Sequence, residues 1–297
     1  MELKGDFKYH AVAFLTVAVW GSTFVFTKLL INSGISPAQV FTLRFAIAYA
    51  LMLALCHGRL FCRNVKDEAL MLILGITGGS AYFLTENEAL RFSTATNVSL
   101  IVCSCPLFTT LLFRLAFRDT RLSAVQAAGT ALAFAGMATV VLNGRFVLHL
   151  SPAGDALALA ACLSWAVYSL VMKPLAKRYG SAFITRKVFF YGLLTMAPYY
   201  AANPGFPPPS LLIRPDIMGN LLFLGCVASL VCFLTWTWCI KGLGVVRATN
   251  YVYVNPTTTI VFAAWLLGEK ITPFFIAGSA MIIIGLYLTN KPAKASA

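Results

Sequence analysis

The chain carries its own duplicate. Trp20 and Lys28 lie over Trp165 and Lys173, each pair eight residues apart, and Leu74, Gly75, Phe83, Leu84 and Thr85 recur as Leu224, Gly225, Phe233, Leu234 and Thr235. At nearly the same offset Pro106 falls on Pro256, Asp119 on Glu269, Gly129 on Gly278 and Gly136 on Gly285. The copies span 1–147 and 148–297. Each holds an odd number of apolar runs, so the two blocks must enter a bilayer in opposite orientation, an arrangement characteristic of transporters.

A bilayer is required because the chain lacks a polar coat. With 59% hydrophobic residues, 11% charged residues and a mean hydropathy of +0.80, its 297 residues hold too little polar surface to cover a water-soluble globule. The net charge of +13 would suit nucleic acid if the cations formed a stripe with interleaved aromatics. They are scattered between apolar runs instead, so no nucleic-acid partner is expected. Cys103, Cys105, Cys162, Cys226, Cys232 and Cys239 sit inside apolar runs, where a thiol behaves as a small hydrophobe. His10, His57 and His149 lie at run ends, apart from acids and thiols, so neither a disulfide frame nor a metal site is expected. The Gly-x-x-x-x-Gly-Lys loop of ATP-driven pumps does not occur, and no cofactor is expected.

A helix crosses the hydrocarbon core with about 20 apolar residues. Continuous apolar runs, not alternating ones, favour helices over a barrel. Spans are predicted at 10–31, 37–56, 68–86, 94–117, 122–142, 152–172, 182–202, 217–239, 246–267 and 272–289. The expected fold class is therefore an all-α integral membrane protein with ten transmembrane helices in two inverted five-helix repeats. The first run carries Trp20 and Lys28 and is the partner of an internal run, so it reads as a retained span and not as a cleaved signal peptide.

Ten spans put both termini on one side, where fifteen Lys and Arg collect: Lys4, Lys8, Arg59, Arg63, Lys66, Arg114, Arg118, Arg121, Lys173, Lys177, Arg178, Lys241, Arg247, Lys291 and Lys294. The opposite side holds four: Arg91, Arg145, Arg214 and Lys270. By the positive-inside rule both termini are cytoplasmic, in a bacterial-type inner membrane.

Ionisable groups at membrane depth are costly and mark pathways. Arg44 lies seven residues after Pro37, about 10 Å into its helix at 1.5 Å per residue. A lipid-facing arginine there would cost about 2.5–3.5 kcal/mol, so Arg44 is expected to face the bundle interior, as a pathway residue or in a structural pair. Lys28 can snorkel to the interface. Because Glu86 and Glu88 close the outer end of the third span, Lys28, Arg44, Glu86 and Glu88 also group as an outer ion-pair gate. The repeat mirrors Lys28 and Arg44 as Lys173 and Lys187, whereas Glu86 and Glu88 fall on Trp236 and Trp238. An inner gate is therefore expected to be aromatic or cation–π in character. With the acids at a mouth and none at mid-membrane, uniport or weakly coupled exchange is expected over a proton relay.

Pro106 and Pro256 fall near mid-span in equivalent helices and read as kinks, either at a hinge or cavity wall or in merely bent packing elements. Beside them stand Asn97, Ser99, Ser104, Asn250, Tyr251, Tyr253, Asn255 and Thr257. Trp20 and Trp165 sit mid-span at equivalent positions and, with Tyr82, Tyr168 and Trp236, line a central cavity or pack the core. Gly129, Gly136, Gly278 and Gly285 permit close helix packing, inside the chain or in a homodimer.

Trp20, Gly21, Ser22, Thr23 and Phe24 in the first span, Arg44 and Phe45 in the second, Pro106, Gly129 and Gly136, and in the second copy Pro256, the run Leu267 to Thr272, Gly278 and Gly285 form an ordered pattern over essentially the whole chain. In that pattern the chain resembles the EamA-type branch of the drug/metabolite transporter superfamily. One departure is Arg118 and Asp119, where the family usually shows Gly-Glu; Gly268 and Glu269 keep that form. The resemblance implies two inverted five-helix repeats, a central cavity lined by the first-span motif with Thr23, by Trp165 and by the fourth and ninth helices, and movement of small metabolites by alternating access. The expected function is a secondary transporter, an exporter, of small polar or amphipathic metabolites such as amino acids. A channel or non-transporting scaffold is the alternative. An intramembrane enzyme fits less well, because no acid pair or histidine converges at mid-span.

Overall fold

The computed structural model describes residues 3–55, 58, 60–92, 98, 101–117, 123–142, 151–203, 205–267 and 272–290. All regular elements among them are helical. Helix α1 (Leu3–Asn32) turns through Gly34, at φ +95°, into α2 (Pro37–Leu55), a conformation that glycine adopts without a Cβ clash. Helix α3 occupies 65–92, with a π-helical turn at Ile76–Ser80. Its start is set by Asn64, whose side chain accepts from the Asp67 amide, and by Asp67 and Glu68 in the first turn. There follow α4 (Cys105–Ala116), α5 (Ala124–Leu142), α6 (Pro152–Arg178) and α7 (Ser181–Leu194), the last continued by a short helix Ala197–Ala202. Helix α8 occupies 215–243 with a π segment at Phe223–Val231. Gly244, at φ +79°, turns it into α9, which occupies 245–267 and is interrupted by a 3₁₀ segment at Asn250–Val254; α10 is Pro273–Thr289.

Six helices among the described residues are long and apolar enough to cross a membrane: Phe7–Asn32, Pro37–Leu55, Val65–Ala89, Ala124–Leu142, Pro152–Arg178 and Pro215–Leu243. The other four predicted spans are short or broken helices. The described part of α4 begins only after a turn at Cys103 and Ser104, α7 breaks at Thr195 and Met196, α9 changes to 3₁₀ geometry, and α10 has 17 residues. At most half of each spanning stretch is buried within the chain. Leu15, Leu115, Ile276 and Ile283 are more than 60% exposed, as side chains facing acyl chains would be.

The halves pack with a twofold pattern. Helix α1 lies on α8 and α9, and its repeat mate α6 lies on α3 and α4; α2 packs on the π segment of α8, and its mate α7 on the π turn of α3. Exchanging the halves converts each contact into another. The pattern is sharpest between α5 and α10. A methyl group added to Gly129 would fall 2.7 Å from the Gly285 carbonyl oxygen, and one added to Gly136 would fall 2.6 Å from that of Gly278. The two helices are thus antiparallel, and since Gly129 is the mate of Gly278 and Gly136 of Gly285, the contact is isologous, as across a twofold axis. The small-residue faces are spent inside the chain. The π turns obey the same symmetry, Ile76–Ser80 falling at the repeat offset within Phe223–Val231.

Candidate functional site

Two consecutive residues of the α8 π segment hold the site together. The Ala228 carbonyl accepts the indole N–H of Trp20 at 3.0 Å, and the Ser229 hydroxyl accepts Nε of Arg44 at 2.8 Å. A π turn widens the helix and presents backbone and side chains that an α-helical register would bury. Arg44 is only 3% exposed, and its guanidinium carbon lies 4.8 Å from the Phe83 ring centroid, a cation–π contact. Trp20 meets its repeat mate Trp165 edge to face, with centroids 5.5 Å apart, and also packs on Trp236 at 5.1 Å and Phe233 at 5.7 Å.

These groups surround a narrow cavity of about 50 Å³, lined by Trp20, Thr23, Phe24, Arg44, Tyr82, Phe83, Glu86, Val102, Cys105, Trp165, Phe233, Val252 and Asn255. Its lining is mostly apolar with a few convergent polar groups, the pattern of a ligand site. Glu86 is buried and accepts the Tyr82 hydroxyl at 2.9 Å. Among the described residues no ion pair joins Glu86 to Arg44, so a cation and a carboxylate face one cavity without neutralising each other in direct contact. Nε1 of Trp165 and Oδ1 of Asn255, both buried, have no hydrogen-bond partner among the described residues and stand in the same lining. A side pocket reaches past Arg44 and Glu86 to Thr27 and Asn87, and the Asn87 amide donates to the Pro37 carbonyl oxygen at 3.4 Å.

Of the predicted site residues, the cavity gathers Trp20, Thr23, Arg44, Tyr82, Trp165 and Asn255, and adds Glu86 from the expected gate. Trp236 and Tyr168 pack behind it against Trp165. Tyr251 stands apart, its hydroxyl 2.7 Å from Nδ1 of His10. Asn97 lies outside the described residues. Pro106 and Pro256 are second residues of helical segments that follow the turn at Cys103 and Ser104 and the 3₁₀ segment, so each marks a restart and not a kink within a continuous helix. Proline is favoured there because its missing N–H is unneeded in a first turn. Phe24, Val102, Cys105 and Val252 belong to the first-span motif and the fourth and ninth helices expected in the lining, whereas Phe83 and Phe233 carry no mark of the cavity in the sequence, since an apolar lining residue has the same pattern as a core residue.

The outer gate does not assemble as grouped. Lys28 is exposed, and Glu88 pairs with Arg91 one turn on at 2.9 Å. Only Arg44 and Glu86 come together, inside the cavity, so a carboxylate does stand where none was expected. The inner side differs too. Lys187 forms an ion pair with Glu68, which also accepts the Tyr191 hydroxyl, and Arg178 pairs with Asp67 at 2.6 Å, where the Tyr179 hydroxyl also donates at 2.7 Å. Lys187 additionally lies 5.0 Å from the Phe61 ring centroid and 5.3 Å from that of Tyr191, so the cluster is ionic as well as cation–π. The repeat leaves no mark on Asp67 and Glu68, whose equivalents are Ile217 and Met218. At the edge of this cluster burial and the Glu68 carboxylate push the Cys62 thiol up to about 11. Lys173 lies elsewhere, 3.7 Å from the Phe117 ring centroid.

A helical membrane protein whose two halves exchange contacts around a buried polar and aromatic cavity is built as a transporter. The comparisons agree: residues 7–142 and 152–291 each match the EamA-like transporter family, and the chain belongs to that family. It is 27% identical over 287 residues to an uncharacterized transporter of Archaeoglobus fulgidus, covering 95% of this chain and 97% of that protein. It is 28% identical over 280 residues to a probable terminal-alkyne amino-acid exporter of Streptantibioticus cattleyicolor, covering 93% and 91%. One solved crystal structure superposes with a TM-score of 0.77 over 98% of this chain and 99% of that one, at 17% identity, a likeness of fold alone.

Proposed function

We propose that the protein exports small zwitterionic, amphipathic metabolites of the amino-acid class across the bacterial inner membrane by alternating access. The carrying observation is the pair Arg44 and Glu86, opposite charges facing one aromatic cavity without an ion pair between them. A substrate carboxylate would meet the Arg44 guanidinium, its ammonium would meet Glu86, and its side chain would stack among Trp20, Trp165, Tyr82 and Phe233. Trp165 Nε1 and Asn255 Oδ1 supply one further donor and acceptor. The similarity to a probable amino-acid exporter supports the class.

Ten spans in two inverted repeats, with both termini cytoplasmic, are part of this proposal. It is supported by the isologous α5–α10 contact and by the fifteen-to-four distribution of Lys and Arg. With Glu86 in the cavity, a proton becomes an available coupling ion alongside plain exchange. The test is counterflow in proteoliposomes with a radiolabelled apolar or aromatic amino acid. Saturable uptake is expected, competed by other zwitterions and poorly by the matching amine or carboxylate alone. No counterflow with any zwitterion would refute the substrate class.

A further inference from the structure

A second cavity, of about 480 Å³, opens between α4, α6 and the turn joining α8 to α9. It lies at the end of the bundle where Gly242 and Trp238 pack on Tyr9. Its lining holds five cations, Arg114, Lys173, Lys177, Lys241 and Arg247, and no acidic side chain among the described residues. Lys173 is laid on the Phe117 ring, and Lys241 Nζ donates to the Tyr179 carbonyl oxygen at 2.6 Å. Arg114, Lys177 and Arg247 have no ion-pair partner among the described residues.

A topological excess of cations explains which side they occupy, but not their convergence on one concavity without a counter-charge among the described residues. At the same end Arg178 and Lys187 each have a carboxylate. Like charges gathered in a partly desolvated cavity repel, and an anion relieves that repulsion. The rest of the lining is largely apolar, including Phe113, Ile240, Leu243, Val245 and Val246. Leu111 and Leu115, 54% and 72% exposed, flank Arg114 on α4, so an outward apolar surface runs up to the rim.

We propose that this cavity binds the phosphate headgroup of an anionic phospholipid of the cytoplasmic leaflet, with an acyl chain lying along the outer face of α4. Basic pockets between helices on the cytoplasmic side recognise such headgroups. The leaflet assignment rests on the orientation proposed above; the binding chemistry does not.

Native mass spectrometry of the full chain in detergent, with equimolar phosphatidylglycerol and phosphatidylcholine, tests it. The wild type is expected to retain phosphatidylglycerol about tenfold over phosphatidylcholine, given the attraction of several cations for one headgroup. The variant Lys177→Gln/Lys241→Gln/Arg247→Gln should retain the two lipids about equally, while Lys8→Gln/Arg63→Gln/Lys66→Gln, which removes as many charges at the same end outside the cavity, should keep the preference. Circular dichroism and size exclusion establish that each variant is folded, and Lys177→Gln alone, with a partial loss, replaces the triple variant if that one fails to fold. No preference in the wild type, an equal loss in the control variant, or displacement of the lipid by millimolar inorganic phosphate would each overturn the proposal, the last by making the cavity a site for soluble anions. The measurement needs neither transport nor orientation, so it fails or holds independently of the exporter reading.

Discussion

Replacing Glu86 by glutamine isolates the charge that the proposal assigns to a substrate ammonium. The amide keeps the size of the side chain and an oxygen able to accept the Tyr82 hydroxyl, so the cavity keeps its shape. Glu86 is 6% exposed, which places it among buried charges for which truncating one member of a pair costs about 2–5 kcal/mol. Taking about 2 kcal/mol, because the cavity is large enough to admit some water, and about 1.4 kcal/mol per decade, affinity for a zwitterionic amino acid should fall about 30-fold. The assay is radioligand binding in detergent with two ligands, the amino acid and its des-amino carboxylate analogue. The analogue has no ammonium to lose and should weaken less than about threefold, a difference that measures the coupling directly. Equal losses for both ligands would show that Glu86 acts on fold or cavity shape, and an unchanged affinity would remove it from the site; either result refutes the zwitterion geometry.

Arg44→Gln should abolish binding of both the zwitterion and its des-amino analogue. It should also lower the melting temperature, because the bond to Ser229 is a hydrogen bond to a charged group, of a kind contributing about 1.5–3 kcal/mol; binding by an equally stable variant would contradict this. Gly136→Leu, whose Cβ would meet the Gly278 carbonyl oxygen at 2.6 Å, should force α5 and α10 apart and remove the monodisperse peak in fluorescence-detected size exclusion. Glu68→Gln strands the Lys187 ammonium and should lower the melting temperature more than the double variant Glu68→Gln/Lys187→Met does, since the second change removes the uncompensated charge. Cys62, with its thiol pushed up to about 11, should react slowly with maleimide at pH 7.5 and faster as pH rises toward that value; peptide mapping should show Glu68→Gln speeding the reaction.

The cavity was legible where chemistry left an unusual mark. Arg44 in an apolar run has few affordable places except the bundle interior, and Trp20 and Trp165 gave themselves away by occupying one position in two copies. The place of Glu86 at the end of its run points to a mouth, but the π turn at Ile76–Ser80 shifts the face on which later residues point, and the carboxylate turns inward beside Arg44. Lys28 and Glu88 share its depth, and depth does not say which way a side chain faces.

Duplication and hydropathy determined the class of architecture, a helical membrane protein built from two copies of one block. Those are properties of periodicity and length, which a linear chain carries in full. Which residues meet was decided by packing between the copies, through the Gly129–Gly285 contact, the π segment that presents Ala228 and Ser229 to Trp20 and Arg44, and the pairing of Lys187 with Glu68 across 119 positions. Such contacts depend on helix rotation and on interruptions in helical register. Small angular changes there move a side chain from lipid to cavity while leaving hydropathy unchanged.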